Sequence, residues 1–263
     1  MFKHNFIDTI LRSYDIRGIY GKTLTEKDAF MLGFFFGITV REKNPDKNHP
    51  LIVIGMDGRL SSPILEEKLN EGLENSGCEI YRIGLGPTPM LYFASNYYKA
   101  DGAIQVTGSH NPKDYNGFKI VLNQNSFFGE SIQKLGHFAN KGYSKTYNGF
   151  SRSVEISSKY IDEITKPLKN IDKELQNKTI VWDCGNGASG PSVEILTKKI
   201  PGKHVVLYSK VDGNFPNHHP DPTDESTLKI MLNTMKKVDA ELGIAFDGDG
   251  DRIGVIDKQG RSV

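Results

Sequence analysis

Short apolar runs rich in β-branched residues punctuate the chain: LIVIGM at 51–56, CEIYRIG at 78–84, GAIQVTG at 102–108 and FKIVL at 118–122. Bounded by glycine, proline and polar turn residues, they predict buried strands. Between the first three lie segments whose apolar residues recur at helical spacing. From Pro63 to Asn75 these are Ile64, Leu65, Leu69 and Leu73, a stripe along one helix face. The alternation resumes with TIVWDC at 179–184, a helical stretch at 191–199, KHVVLYS at 203–209, a helix at 223–237 and AELGIAF at 240–246. Strands alternating with helices imply largely parallel sheets covered on both faces. The expected fold is α/β: two successive three-layer α/β/α domains with mixed, largely parallel sheets, over 1–153 and 154–263. NKGYSKTYNGFSRSVEISS at 140–158, polar and rich in Gly and Ser, is the expected linker.

Charge and composition narrow the partners. Lys and Arg number 33 against 32 Asp and Glu, a net of +1 over 263 residues, so no global field recruits nucleic acid or an anionic membrane. No apolar run approaches the roughly 18 residues of a membrane span, and the N-terminus lacks a signal peptide's apolar run, so the expected location is cytoplasmic. Cys78 and Cys184 have no CxxC or Cys/His cluster around them and are expected to be reduced, buried thiols.

Chemistry concentrates in two loops, each directly after an apolar strand. AFDGDGDRIG at 245–254 spaces Asp247, Asp249 and Asp251 two apart, with Arg252 next. Three carboxylates so placed repel one another unless a hard divalent cation neutralises them, and the intervening glycines let short side chains converge. An EF-hand fails, because Arg252 falls where the turn glycine belongs and Lys258 where the bidentate Glu belongs. The bland alternative is a solvated acidic turn. VTGSHNPKDYNGFKI at 106–120 holds Ser109 on a loop constrained by Gly108 and Pro112. A Ser-His-Asp hydrolase is disfavoured: neighbouring side chains usually diverge, making His110 a poor base for Ser109, and G-x-S-x-G is absent.

Other candidates are weaker. GMDGRLSS at 55–62 opens a helix whose amides, with Arg59, would meet an anion; capping by Ser61 or Ser62 is the equal alternative. GNGASG at 185–190 satisfies G-x-G-x-x-G, with Asp212 where a ribose-binding acid would fall, so a dinucleotide-binding oxidoreductase is a second reading. His218 and His219, flanked by Pro216 and Pro220, read as a rigid surface loop rather than a metal pair.

T-G-S-H-N-P followed by N-G-F-K, with D-G-D-G-D-R, S-Y-D-I-R-G at 13–18 and DGNFPNHHPDPT at 212–223, resembles the α-D-phosphohexomutase superfamily, in particular its bacterial phosphomannomutase/phosphoglucomutase branch. The resemblance implies a phosphoserine at Ser109 and one Mg²⁺ held by it with Asp247, Asp249 and Asp251. It implies catalytic roles for Ser109, His110, Lys119, Arg17 and Arg252, and substrate binding by Tyr14, Asn111 and Arg59. Lys119 and Arg17 belong to the cluster that polarises or deprotonates the attacking sugar hydroxyl, and which accepts the proton is open. The implied reaction interconverts hexose 1-phosphate and hexose 6-phosphate through a bisphosphorylated sugar, with a glucose 1,6-bisphosphate-type activator. Members of the family usually have four domains, so the match covers domains I and II, and domains III and IV are expected to be absent. The expectations are weak activity alone, a separate chain supplying the missing C-terminal domains, or a non-catalytic metal- and phosphate-binding fragment.

Overall fold

The computed structural model describes residues 1–170 and 175–263. One sheet is built from β1 (Ile16–Ile19), β2 (Leu51–Met56), β3 (Glu79–Leu85), β4 (Gly102–Val106), β5 (Tyr115–Leu122), β6 (Asn125–Ser126) and β7 (Phe150–Ser153). Its order is β1-β5-β4-β2-β3-β7, with β6 on β5. Strands β4, β2, β3 and β7 are parallel, and β5 runs antiparallel to β1 and β4. The other sheet has β8 (Thr179–Asp183), β9 (Lys203–Leu207), β10 (Leu242–Phe246) and β11 (Ile253–Asp257), ordered β11-β10-β8-β9 with β11 antiparallel to β10.

Helices cover both faces of each sheet: α1 (Glu26–Lys43), α2 (Ser62–Asn75), α3 (Thr88–Tyr97) and α4 (Glu130–Lys141), then α5 (Ser157–Thr165), α6 (Gly190–Leu196) and α7 (Lys229–Val238). Successive strand side chains point to opposite faces. Ile52 and Ile54 of β2 therefore pack in the cluster with α1, α2 and α4, while Val53 packs with Met90, Leu91 and Ala94 of α3. The second sheet repeats this, sending Val181 toward Met231 and Met235 of α7, and Ile180 and Trp182 toward Val193 of α6. Both domains are thus α/β/α layers over mixed sheets. Cys78 and Cys184 are buried free thiols. No helix among the described residues is long and apolar enough to cross a membrane.

Three differences from the sequence expectation have physical causes. Helix α1 is apolar nearly all round, with Phe34, Phe35 and Phe36 each fully buried, so it shows no polar face for periodicity to find. Its start is fixed by a capping box between Thr25 and Asp28. The helix expected from 223 begins instead at Lys229, because Asp221 and Asp224 accept from Thr223 N and Ser226 N at 3.0 and 2.8 Å, closing turns that compete with helix. The polar 140–158 segment contains β7 paired to β3, and beyond it Ile156 is buried beside Val53 and Leu91.

The C-terminal ends of β2, β3 and β4 lead into Asp57, Thr88 and Ser109, and the C-terminal end of β10 leads into Asp247. All four segments meet, the usual place for a ligand site in an open α/β sheet. Behind this sheet α1 packs closely on α2, where Gly33 and Gly72 bring the two backbones together. A Cβ on Gly33 would lie 2.3 Å from the Leu69 carbonyl oxygen, and one on Gly72 would lie 2.0 Å from that of Phe30. Gly72→Ala is expected to force the helices apart and lower stability by about 3 kcal/mol. An unchanged urea midpoint would contradict this packing account.

Candidate functional site

Ser109 is fully buried and held at φ +50°, a left-handed conformation uncommon for a residue with a Cβ. Hydrogen bonds keep it there. Its N–H donates to Thr107 Oγ1 at 2.8 Å, and one Asp57 oxygen accepts from Thr107 Oγ1 at 2.9 Å and Gly108 N at 3.0 Å. The Ser109 hydroxyl donates across the domain boundary to Asp247 Oδ2 at 2.8 Å.

The aspartate loop turns on Gly250, at φ +68°. Asp247 Oδ1 accepts from the N–H groups of Asp251 and Arg252 at 3.1 and 3.2 Å. Asp247, Asp249 and Asp251 each offer an oxygen within 4.8 Å of the others. Burial, then the charges of Asp249 and Asp251, push the Asp247 carboxyl well above the usual carboxylate range. Burial also opposes the charge on Asp249, but Lys119 and Thr88 outweigh it and hold that carboxyl low. Lys119 Nζ reaches Asp249 at 2.6 Å and also bonds Asp251. Burial disfavours the ammonium, yet these carboxylates prevail and raise its pKa.

A hard divalent cation fits this donor set. Besides the clustered oxygens, Asp249 Oδ1 is buried with no hydrogen-bond partner, an acceptor that otherwise costs free energy to bury. Asp247, Asp249 and Asp251 could hold such an ion, with an oxygen on Ser109 adjacent to it.

His110 does not diverge from Ser109: its Nδ1 lies 3.4 Å from Ser109 Oγ, and Arg252 Nη1 lies 3.5 Å from His110 Nε2. An Arg252 donor at Nε2 favours the His110 tautomer with its proton on Nδ1, directed toward Ser109 Oγ. Burial and then Arg252 lower its pKa, keeping the ring neutral. Arg17 is buried and donates to the Gly108 carbonyl at 2.8 Å and to Asn111 Oδ1 at 2.9 Å, which brings Arg17 and Asn111 to the serine loop. Tyr14 is 84% exposed and stands apart from these bonds.

Arg59 requires a correction. Its side chain is fully buried and makes four hydrogen bonds to backbone carbonyls of residues 109–115, so no face of it is open to a substrate anion. Nor do the neighbouring serines cap α2: Ser62 donates to Asp57 Oδ1 at 2.6 Å, and Ser61 makes no side-chain cap bond. The Gly-rich turn at 185–190 is likewise filled by protein. A Cβ on Gly187 would lie 2.8 Å from the Gly248 carbonyl oxygen, which already accepts from Ala188 N at 3.0 Å. That turn buttresses the aspartate loop and leaves no cradle for a dinucleotide. His218 Nε2 pairs with buried Asp183 at 3.0 Å.

Two residues escaped the sequence reading, Asp57 and Thr88. Thr88 N donates to the Asp249 carbonyl at 2.8 Å and its hydroxyl to Asp249 Oδ2, so the start of α3 grips the aspartate loop of the other domain. Position was the available signal, since both follow parallel strands at the edge where Ser109 lies.

The family model for phosphoglucomutase/phosphomannomutase α/β/α domain I matches residues 8–144, and that for domain II matches residues 158–260. The chain belongs to the phosphoglucomutase/phosphomannomutase family. A phosphomannomutase/phosphoglucomutase of Pseudomonas putida is 41% identical over 256 residues, covering 97% of this chain and 54% of the relative. A phosphoglucomutase of Neisseria gonorrhoeae shows the same identity and coverage. The solved phosphoglucomutase/phosphomannomutase family protein of Burkholderia thailandensis superposes with a TM-score of 0.88 at 37% identity, over 98% of this chain and 56% of its own. The chain spans about half the length of the curated relatives it matches.

Thr88 is buried and orients a candidate metal ligand. Replacing it with isosteric valine should weaken Mg²⁺ binding roughly tenfold by calorimetry while the circular dichroism stays unchanged. Equal affinity in the valine variant would exclude this role.

Proposed function

We propose that the chain carries the phosphoryl-holding and metal-binding apparatus of a phosphohexomutase, with hexose 1- and 6-phosphates as substrates and Ser109 as the group that takes and returns phosphoryl. The observation that carries this reading is the 2.8 Å contact of Ser109 Oγ with Asp247. A hydroxyl on a strained, immobilised loop meets a crowded acidic loop from the other domain, an arrangement suited to phosphoryl chemistry and ill suited to acyl transfer.

Mg²⁺ bound by Asp247, Asp249 and Asp251 beside Ser109 would neutralise charge on phosphoryl oxygens. The chain's own residues do the rest. From phosphorylated Ser109, a free hydroxyl oxygen of the hexose monophosphate bonds to phosphorus as the bond from phosphorus to Ser109 Oγ breaks, and the sugar hydroxyl's proton ends on Oγ, giving the bisphosphorylated sugar. After that sugar reorients, Ser109 Oγ bonds its other phosphorus as the bond from that phosphorus to the sugar oxygen breaks, the serine proton ends on that oxygen, and the isomer leaves. Phosphoryl transfer asks mainly for positioning and charge stabilisation. His110 lies beside Ser109 Oγ with Arg252 at its other ring nitrogen, and the two are assigned to the added phosphate's negative charge. Arg17 donates to the Gly108 carbonyl and Asn111 and is assigned to holding the loop, which leaves the sugar's proton to Lys119. Tyr14, free in solvent beside β1, is assigned to the sugar. Recognition of the sugar's remote phosphate is assigned to residues beyond these two domains, in the same polypeptide or a separate one.

Incubation with Mg²⁺ and glucose 1,6-bisphosphate should add about 80 Da to the wild-type chain. Ser109→Ala should gain nothing. A mass increase retained in that variant, or absent from the wild type, would overturn the assignment of Ser109.

A further inference from the structure

Among the described residues Arg59 is the largest fully buried side chain. Burying a guanidinium is costly unless its donors are satisfied. They are spent almost entirely on one loop. One terminal nitrogen donates to the carbonyls of Ser109 and Asn111, both at 2.7 Å, and the other to those of Pro112 and Tyr115, at 2.6 and 2.9 Å. Carbonyls from four residues of the nucleophile's loop thus converge on a single planar cation, whose fixed fork dictates where each must lie. The guanidinium also lies flat against Gly108, where a Cβ would fall 2.2 Å from Nε. Asp57 completes the clamp. Its carboxylate accepts from Arg59 N at 3.0 Å and Gly108 N at 3.0 Å, joining both sides of the arginine to the residue before Ser109.

The outer face of this clamp is covered by the other domain. The Phe215 ring lies 5.4 Å from the Arg59 guanidinium. Gly213 packs against the Gly58–Leu60 backbone so closely that a Cβ would lie 2.6 Å from Leu60 N and 2.9 Å from Arg59 Cα. None of Arg59, Gly213 and Phe215 bonds the aspartate triplet or the Ser109 hydroxyl.

We propose that Arg59 is a positioning residue through which seating of the 213–215 loop of the second domain fixes the Ser109 loop of the first. The inference rests on Ser109 being the phosphoryl acceptor only for its consequence in rate, and its structural content is independent of that reading. Withdrawal of Phe215 uncovers the guanidinium and loosens its hold on the four carbonyls. Ser109 then leaves its left-handed conformation and its Oγ loses its aim. Domain docking and nucleophile alignment become one event, separate from the contacts at the metal-binding loop.

Hydrogen exchange of residues 108–116, followed by mass spectrometry on the full chain, tests this with Arg59→Lys and Phe215→Ala. Lysine keeps the charge but cannot serve four carbonyls in two directions. Both variants should exchange this segment at least tenfold faster than wild type, beyond any change shared by the rest of the chain, at unchanged Mg²⁺ affinity. With glucose 1,6-bisphosphate as probe, the maximal rate of Ser109 phosphorylation should fall about tenfold or more while the half-saturating concentration stays put. If Arg59→Lys does not fold, Phe215→Ala decides, being a partly exposed position. Wild-type protection of 108–116 in a folded variant overturns the proposal. Absence of phosphorylation in the wild type instead defeats the functional reading and leaves the exchange result to judge the clamp.

Discussion

Three carboxylates confined within 4.8 Å of one another, two of them fully buried, impose a constraint that the surrounding structure must answer. Two like charges at about 4 Å repel by about 4 kcal/mol at an effective dielectric near 20, and a third adds to it. Part of the answer is visible in the chain itself. Lys119 of the first domain bridges Asp249 and Asp251, backbone N–H groups of Asp251 and Arg252 serve Asp247, and Thr88 at the start of α3 takes one oxygen of Asp249. The other Asp249 oxygen has no partner. Neutralisation is incomplete, a condition that favours a divalent cation.

The side chains that answer the triplet, those of Lys119, Thr88 and Ser109, come from the other domain, and this gives the architecture its sense. Parallel strands β2, β3 and β4 end on the same edge, so that Asp57, Thr88 and Ser109 arrive side by side. Strand β10 delivers Asp247 to that edge from the second sheet. The glycines of the acidic loop and of the 185–190 turn then serve close approach, with Gly248 against the Ser109 carbonyl and Gly187 against Gly248.

Much of this was legible from residue types alone, and the failures share a cause. The layered α/β architecture and the strand after which each loop falls rest on local pattern, whereas the pairing of Ser109 with Asp247, Asp249 and Asp251 comes from the family resemblance. Arg59 was misjudged because a guanidinium after a strand looks the same whether it faces an anion or four carbonyls; only the fold tells the two apart. Thr88 and Asp57 carry no distinctive spacing, and their roles exist only once two domains are docked. Helix α1 lacks the amphipathic period because Phe34, Phe35 and Phe36 are enclosed on all sides. His110 illustrates the reverse: adjacent residues do converge here, since the positive φ of Ser109 turns its hydroxyl toward the next ring.

The central claim is that Ser109 and the three aspartates form one site with a shared ion. The most direct measurement is ³¹P resonance of the phosphorylated chain during titration with Mn²⁺ in place of Mg²⁺. A single site predicts that one equivalent of the paramagnetic ion broadens the phosphoserine signal beyond detection, and that Asp249→Asn restores it at the same Mn²⁺ concentration. A phosphoserine line that stays sharp at one bound equivalent would show the ion and the phosphate to be apart, and would contradict the account.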